Sequence, residues 1–194
     1  MSGACLGARE RNRAVEFTAG IEWGYTATFY ENFHYNFVAD EEMRVDLRGS
    51  NLNYFSNGHF LAKAGIRYLD RFDTTFNLGY CGIQEGRRFV SYAIRESFYY
   101  KGYRNSGLFN ILEAGEGGPS TFQLQPVIFG KLGLGYRFKI SQDLSIDTLL
   151  SFQLSEDHPK SLIDRKTETE IYYFQLRRSD VYYSAVNFSI SLNF

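Results

Sequence analysis

Val186-Asn187-Phe188-Ser189-Ile190-Ser191-Leu192-Asn193-Phe194 decides how the chain is read. Its even positions are large and apolar, and its odd positions up to 193 are Asn or Ser. A β-strand sends successive side chains to opposite faces, so this stretch predicts a strand with one apolar and one polar face. A strand so regular, closing on an aromatic, predicts the last member of a closed sheet, where no backbone edge is left bare.

The same parity extends backwards. Leu144, Ile146, Thr148, Leu150, Phe152 and Leu154 keep to even positions, and so do Ile128, Gly130, Leu132, Leu134, Tyr136 and Phe138, with Phe122, Leu124 and Pro126 continuing that row upstream. Phe72, Thr74, Phe76, Leu78 and Tyr80 make a third such row, and Phe60, Ala62, Ala64, Ile66 and Tyr68 a fourth. The first strand carries its apolar row on odd positions instead: Val15, Phe17, Ala19, Ile21, Trp23, Tyr25, Ala27 and Phe29. Val90, Tyr92, Ile94, Phe98 and Tyr100 form one more face, broken by Glu96, which predicts either a bulge or a strand end that leaves the apolar belt. Residues 107–114 alternate poorly. Residues 115–120, with Gly115, Gly117, Gly118 and Pro119, predict a loop. Residues 31–57 predict a long first loop with a strand extension through Phe33, Tyr35 and Phe37, and 155–170 a long last one, with 171–176 extending a strand inside it. The closing strand is expected to begin near Val181.

Composition agrees with a β-protein: 18 Phe, 15 Tyr and 18 Gly against 3 Pro in 194 residues. Net charge is −1, which gives no reason to expect a nucleic-acid partner. Mean hydropathy is −0.32 and no apolar run approaches twenty residues, so a helical membrane span is excluded while a strand-built one is not. Cys5 and Cys81 form no metal or redox motif. Residues 1–13 read as a solvated tail and 14–194 as one barrel domain.

Alternation alone leaves two barrels open. A soluble lipocalin-like barrel would turn its apolar face inward around a small apolar ligand; an outer-membrane barrel would turn it outward. The polar faces carry charges of both signs at mid-strand, namely Glu16, Glu22, Lys63, Arg67, Arg95, Lys131, Arg137 and Asp147. A narrow lumen can pair such groups, and Gly65, Gly79, Gly133 and Gly135 leave room for them. Aromatic residues recur near strand ends, and short turns at 69–71, 101–105 and 141–143 alternate with longer connections, although the turn at 84–87 is short. These features favour the membrane arrangement, with Glu22 paired to Arg67 or Lys63.

The stretch Gly133 to Asp147 (GLGYRFKISQDLSID), with the ending Phe188 to Phe194, resembles the small outer-membrane β-barrel ("porin family") proteins of Bacteroidota, similar in architecture to OmpA/OmpX-type barrels. The resemblance covers 122–194 well, 14–100 by pattern, and 101–121 hardly at all. It implies an all-β, closed, antiparallel up-and-down transmembrane barrel of eight strands in the outer membrane. It also implies that Val186, Phe188, Ile190, Leu192 and Phe194 act as the signal read by the barrel-assembly machinery. Such a protein is exported; Met1 to Ala8 lack the basic and long apolar parts of a signal peptide, so an upstream leader is expected.

Catalytic chemistry has thin support. His59 with Ser56, or His158 with Ser155 and Asp157, could be drawn as a lipid-hydrolysing set, and Asp40, Glu41 and Glu42 as a calcium site. His34, like them, flanks a loop, where histidines, serines and acids are commonplace. The expectation is a non-enzymatic structural or binding protein with no cofactor. Its expected partners are outer-membrane lipid, lipopolysaccharide and other outer-membrane proteins; a soluble lipocalin-like barrel and a lipid-modifying barrel enzyme are the alternatives.

Overall fold

The structure is a computed structural model describing residues 15–38, 43–84, 87–119, 126–159, 162–163, 170–171 and 175–194. The expected tail, Cys5, the Asp40–Glu42 acids, Phe122 and Leu124, and 172–174 of the expected extension lie outside these residues. The strands are β1 (Val15–Val38), β2 (Arg44–Tyr68), β3 (Phe72–Gln84), β4 (Arg87–Tyr99), β5 (Gly107–Pro119), β6 (Val127–Lys139), β7 (Ser145–Asp157), β8 (Leu162–Ile163), β9 (Glu170–Ile171) and β10 (Leu176–Asn193). All but β8 and β9, which pair with each other, form one antiparallel sheet. It closes in a ring in the order β1-β10-β7-β6-β5-β4-β3-β2.

The quoted stretch makes the seam. Trp23 stands opposite Ile190 and Tyr25 opposite Phe188, and the ends are tied by Ala19 N–H to Phe194 O (3.1 Å) and Phe194 N–H to Ala19 O (2.9 Å). Asn187, Ser189, Ser191 and Asn193 are buried inside the ring, while Val186, Phe188 and Phe194 are exposed outside it. Ile190 and Leu192 share that outer face, half-buried. The parity holds around the ring: Leu132 and Leu134 are more than 60% exposed, while Lys131 and Arg137 on the same strand are buried.

Three adjacent strands, β2, β1 and β10, outgrow their neighbours and stand above the ring. The segment 31–57 is therefore not a long loop. It is a tall hairpin whose ladder runs without a gap from Tyr30 opposite Leu52 to Val38 opposite Arg44. A bulge between Thr28 and Tyr30 explains why the odd apolar row of β1 does not continue outward. One extra residue flips the strand's parity, so Glu31 is buried and Phe33 and Tyr35 turn in to pack on the interior cluster below.

Other expectations are corrected too. Residues 115–119 belong to β5, paired with β4 up to Phe89 opposite Pro119, because glycine weakens a ladder without forbidding it. The closing strand starts at Leu176, not Val181, since it accompanies the tall hairpin. The β6 strand begins at Val127, after Pro126. No bulge occurs at Glu96: it keeps its outer position and accepts hydrogen bonds from Tyr68 Oη (2.8 Å) and Thr74 Oγ1 near the short-turn rim. The turn after Tyr68 places Leu69 and Asp70 at φ 54° and 56°, the left-handed pair of a hairpin turn whose twist matches its strands.

Candidate functional site

The chemistry-bearing residues converge inside the ring, in layers. At the short-turn rim, Glu16 accepts from Arg67 Nη1 (2.7 Å) and from Arg104. The Arg67 guanidinium lies 3.0 Å from the ring centroid of Tyr103. One layer in, Arg137 grips Asp147 with two bonds, Nε to Oδ1 at 2.7 Å and Nη2 to Oδ2 at 2.6 Å. Its planar guanidinium also faces the rings of Tyr103 (3.7 Å) and Tyr99 (4.3 Å), the stacked and forked geometry that lysine could not supply. Asn193 Nδ2 reaches in from the closing strand to Asp147 Oδ2 (2.9 Å), and Asp73 accepts from Thr18 Oγ1 (2.9 Å).

The centre is a chain of alternating charge. Arg95 donates through Nη1 and Nη2 to Glu22 (2.6 and 3.0 Å) and through Nε to Glu113 Oε2 (2.5 Å). Lys131 Nζ stands 2.8 Å from Glu113 Oε1, and Lys63 Nζ 3.6 Å from Glu22 Oε2. Lys63 also donates to Ser191, Ser189 Oγ to Glu22 (3.1 Å), and Asn77 Nδ2 to Glu113 (2.9 Å). All five charged residues are nearly withdrawn from solvent. In these two layers Glu22, Asp73, Glu113 and Asp147 balance Lys63, Arg95, Lys131 and Arg137; the other buried acids, Glu31 and Asp157, belong to β1 and β7 nearer the opposite mouth. Desolvated ions are tolerated where they are paired and their remaining donors are used. Among these side chains the open space is about 10 Å³, no more than one water occupies.

Apolar groups close both ends. Phe109, Ile111 and Leu149 join Tyr99 and Tyr103 below, and the Phe109 ring fills the space over Gly135, where a Cβ would come within 2.2 Å of it. Above, Leu61, Ile83, Phe89, Val127, Phe129 and Val181 gather with Phe33 and Tyr35 laid against them. The carbonyl of Ile83 accepts a hydrogen bond from Thr28 Oγ1 (2.6 Å), drawing the end of β3 over the mouth.

Every charge expected in the lumen is on the inner side. Of the two partners expected for Glu22, Lys63 stands beside it, while Arg67 serves Glu16 at the rim; Arg95 is a partner of Glu22 that was not expected. Glu113 is hidden because 107–114 carries large apolar residues on both faces. Phe109 and Ile111 point in, Leu108 and Leu112 point out, and no alternation marks Glu113 as internal. Its signal was spacing: it stands opposite both Arg95 and Lys131.

The drawn catalytic sets do not assemble. His59 is buried inside the ring, with Nδ1 3.3 Å from Thr26 Oγ1, while Ser56 faces outward. His158 meets Asp180 (3.1 Å) and Glu156 (3.6 Å), and Ser155 is bonded instead by Gln153 Nε2 (2.8 Å). Among the described residues, no group of three His, Cys, Asp or Glu side chains could hold a metal ion. At the tall hairpin His34 Nε2 lies 2.8 Å from Asp46 Oδ1, and that hydrogen bond holds the Asp46 carboxyl below its ordinary range.

No family model matches the chain, and no curated protein matches it. Among solved structures there is a similarity to the secretin InvG (residues 176 to its end) of the Salmonella SPI-1 type III secretion injectisome in the open gate state. Identity is 7% and the TM-score 0.22, over 92% of this chain and 59% of that one. So distant a likeness carries no argument.

Proposed function

We propose that the chain is an integral outer-membrane barrel of eight strands, OmpA/OmpX-like and of the Bacteroidota porin-family type, with a structural or binding role and a lumen plugged by its own side chains. One observation carries this reading: the ring is inverted, with paired ions inside and a continuous apolar coat outside. Phe17 is 91% exposed, and Leu112, Leu132, Leu134, Phe152 and Phe188 continue the coat around the wall. Water-soluble proteins seldom expose a contiguous apolar area beyond a few hundred Å², and one that circles the whole wall fits a hydrocarbon surrounding. Near the short-turn rim, Tyr68 stacks on Phe72 (5.4 Å), Phe72 meets Phe98 (5.0 Å) and Tyr136 meets Phe138 (4.7 Å), a girdle suited to the lipid–water interface.

A lipocalin-like reading needs an apolar cavity, and the cavity between the charged layers is lined by Glu22, Lys63, Asp73, Arg95 and Asp147 and holds about 10 Å³ instead. An enzyme reading needs a nucleophile beside an activated base, and neither drawn set comes together. The plug follows from eight strands enclosing only enough volume for side chains, so solute passage is not the proposed role. In this account Val186, Phe188, Ile190, Leu192 and Phe194 present the assembly machinery with an aromatic-ended apolar row. Detergent extraction followed by electrophoresis tests the reading: the unheated, folded protein should migrate faster than the boiled one and resist urea. Extraction as a stable monomer in plain buffer would overturn it. In planar bilayers the plugged lumen should give no steady conductance; a stable ohmic pore would overturn the plug.

A further inference from the structure

The β2 strand is paired on one side along its length but on the other only from Phe60 to Tyr68, opposite Tyr80 to Phe72. Above Tyr80, β3 stays paired with β4 but no longer with β2; Ile83 O accepts from Thr28 Oγ1 of β1 (2.6 Å), and Cys81 and Ile83 join the apolar cluster at the mouth. Residues 44–59 of β2 are therefore an open edge among the described residues, sixteen positions by their numbering. Natural sheets blunt such edges with charged side chains (lysine above all), proline, bulges or an early stop. This edge has no lysine and no proline and carries exposed Leu47, Leu52 and Tyr54; its charges, Arg44, Asp46 and Arg48, are of both signs and gather at the tip, above the register shift between Leu52 and Phe55.

We infer that the tip of this edge, Arg44 to Ser50, is a self-docking surface that pairs antiparallel with the same segment of a second copy about a two-fold axis at Leu47. The charge pattern selects both occupant and register. With Leu47 opposite Leu47, Asp46 of each copy faces Arg48 of the other, and Arg44 faces Ser50. A slip that centres the pairing on Asp46 or Arg48 sets like charges opposite each other, which cross-strand pairs disfavour. The two faces of the hairpin also match. Tyr35 stands opposite Leu47 and Phe33 opposite Gly49, so one face joins apolar to apolar across the axis. On the other face the side chains of Arg48 and Asp46 are 70% and 47% exposed and lie 3.5 Å apart within one copy, with His34 Nε2 2.8 Å from Asp46, so docking would extend an ionic row already present at the tip. The joined sheet would run β10-β1-β2 into β2-β1-β10 of the second copy, an isologous interface of the kind two-fold dimers use. Because the paired strands run in opposite directions, the copies meet tip to tip; on the membrane reading above they sit in facing membranes. The pairing itself needs only the hairpin.

The test uses the full chain in detergent micelles, with Cys5 and Cys81 replaced by serine and folding checked by heat-modifiable migration. Under mild oxidation L47C should form a disulfide-linked dimer, S50C alone should not, and R44C mixed with S50C should give the heterodimer. D46R should weaken self-association about tenfold, as two opposed pairs become repulsive, and D46R/R48D should restore it. A monomer at all concentrations with no L47C cross-link, equal cross-linking of L47C and S50C, or a double charge swap no better than D46R would each overturn the proposal. None of these outcomes bears on heat-modifiable, detergent-dependent behaviour, so the membrane reading stands or falls separately.

Discussion

Glu113→Leu is the perturbation that most directly probes the charged interior. Glu113 receives Arg95 Nε (2.5 Å) and Asn77 Nδ2 (2.9 Å) and lies 2.8 Å from Lys131 Nζ. Leucine removes one carboxylate from a balanced set and leaves Lys131 without its acid partner inside the ring. Arg95 keeps both bonds to Glu22, which softens the loss on that side. Breaking a buried pair by removing one partner costs about 3–5 kcal/mol, and the surviving Arg95–Glu22 bonds place this variant near the lower end. Removing the orphaned cation as well, in Glu113→Leu with Lys131→Met, should recover about 0.5–3 kcal/mol of that loss, the size of coupling between contacting residues. The assay is equilibrium urea unfolding in detergent or lipid vesicles, followed by tryptophan fluorescence of Trp23. The opposite ordering, with the double variant less stable than the single, would refute the argument that an unbalanced buried charge is the cost. A single variant within about 0.5 kcal/mol of the parent would show that the interior ions are solvated.

Further predictions follow from particular contacts. Gly135→Val should destabilise by about 1–3 kcal/mol through overpacking, because its Cβ would meet the Phe109 ring at 2.2 Å; Phe109→Leu should relieve part of this in the same unfolding assay. Phe194→Ser should sharply lower the yield of folded protein in cells yet leave stability after refolding in detergent close to the parent, since the side chain is exposed and its strand bonds are backbone ones. Equal losses in both settings would remove its role as an assembly signal. Asp46 has a depressed folded-state pKa, so its contribution to the hairpin is present above the ordinary carboxylate range and is lost as pH falls through the depressed value. Limited proteolysis should accordingly cut the 32–50 hairpin faster in strong acid than at neutral pH, and Asp46→Asn should flatten that dependence.

How much could be read in advance depended on whether one face stayed apolar and the other polar. Where it did, as in 127–139 and 186–194, strand, face and the inward charges Lys131 and Arg137 were all legible. The rule failed in two physical situations. In 107–119 large apolar residues fall on both faces, Phe109 and Ile111 inward and Leu108 and Leu112 outward, so period two is lost and Glu113 is not marked as internal. In 28–37 a single bulged residue inverted the parity, sending Phe33 and Tyr35 inward although the sequence runs on without a break. Pairing partners were the least legible. Of the partners expected for Glu22, Lys63 stands 3.6 Å from it, but Arg67 lies opposite Glu16, and Arg95 reaches Glu22 across the interior from β4, a contact that strand alternation does not reveal.

The central claim, an inverted barrel in lipid, is tested most directly along the stretch that first suggested it. Single spin labels at residues 186–193, in protein reconstituted into phospholipid vesicles, report collision with oxygen in the bilayer and with a water-soluble nickel chelate. The account predicts a strict alternation: labels at 186, 188, 190 and 192 exposed to oxygen and shielded from nickel, those at 187, 189, 191 and 193 shielded from oxygen within the plugged lumen. Even-numbered labels as accessible to nickel as to oxygen would contradict it.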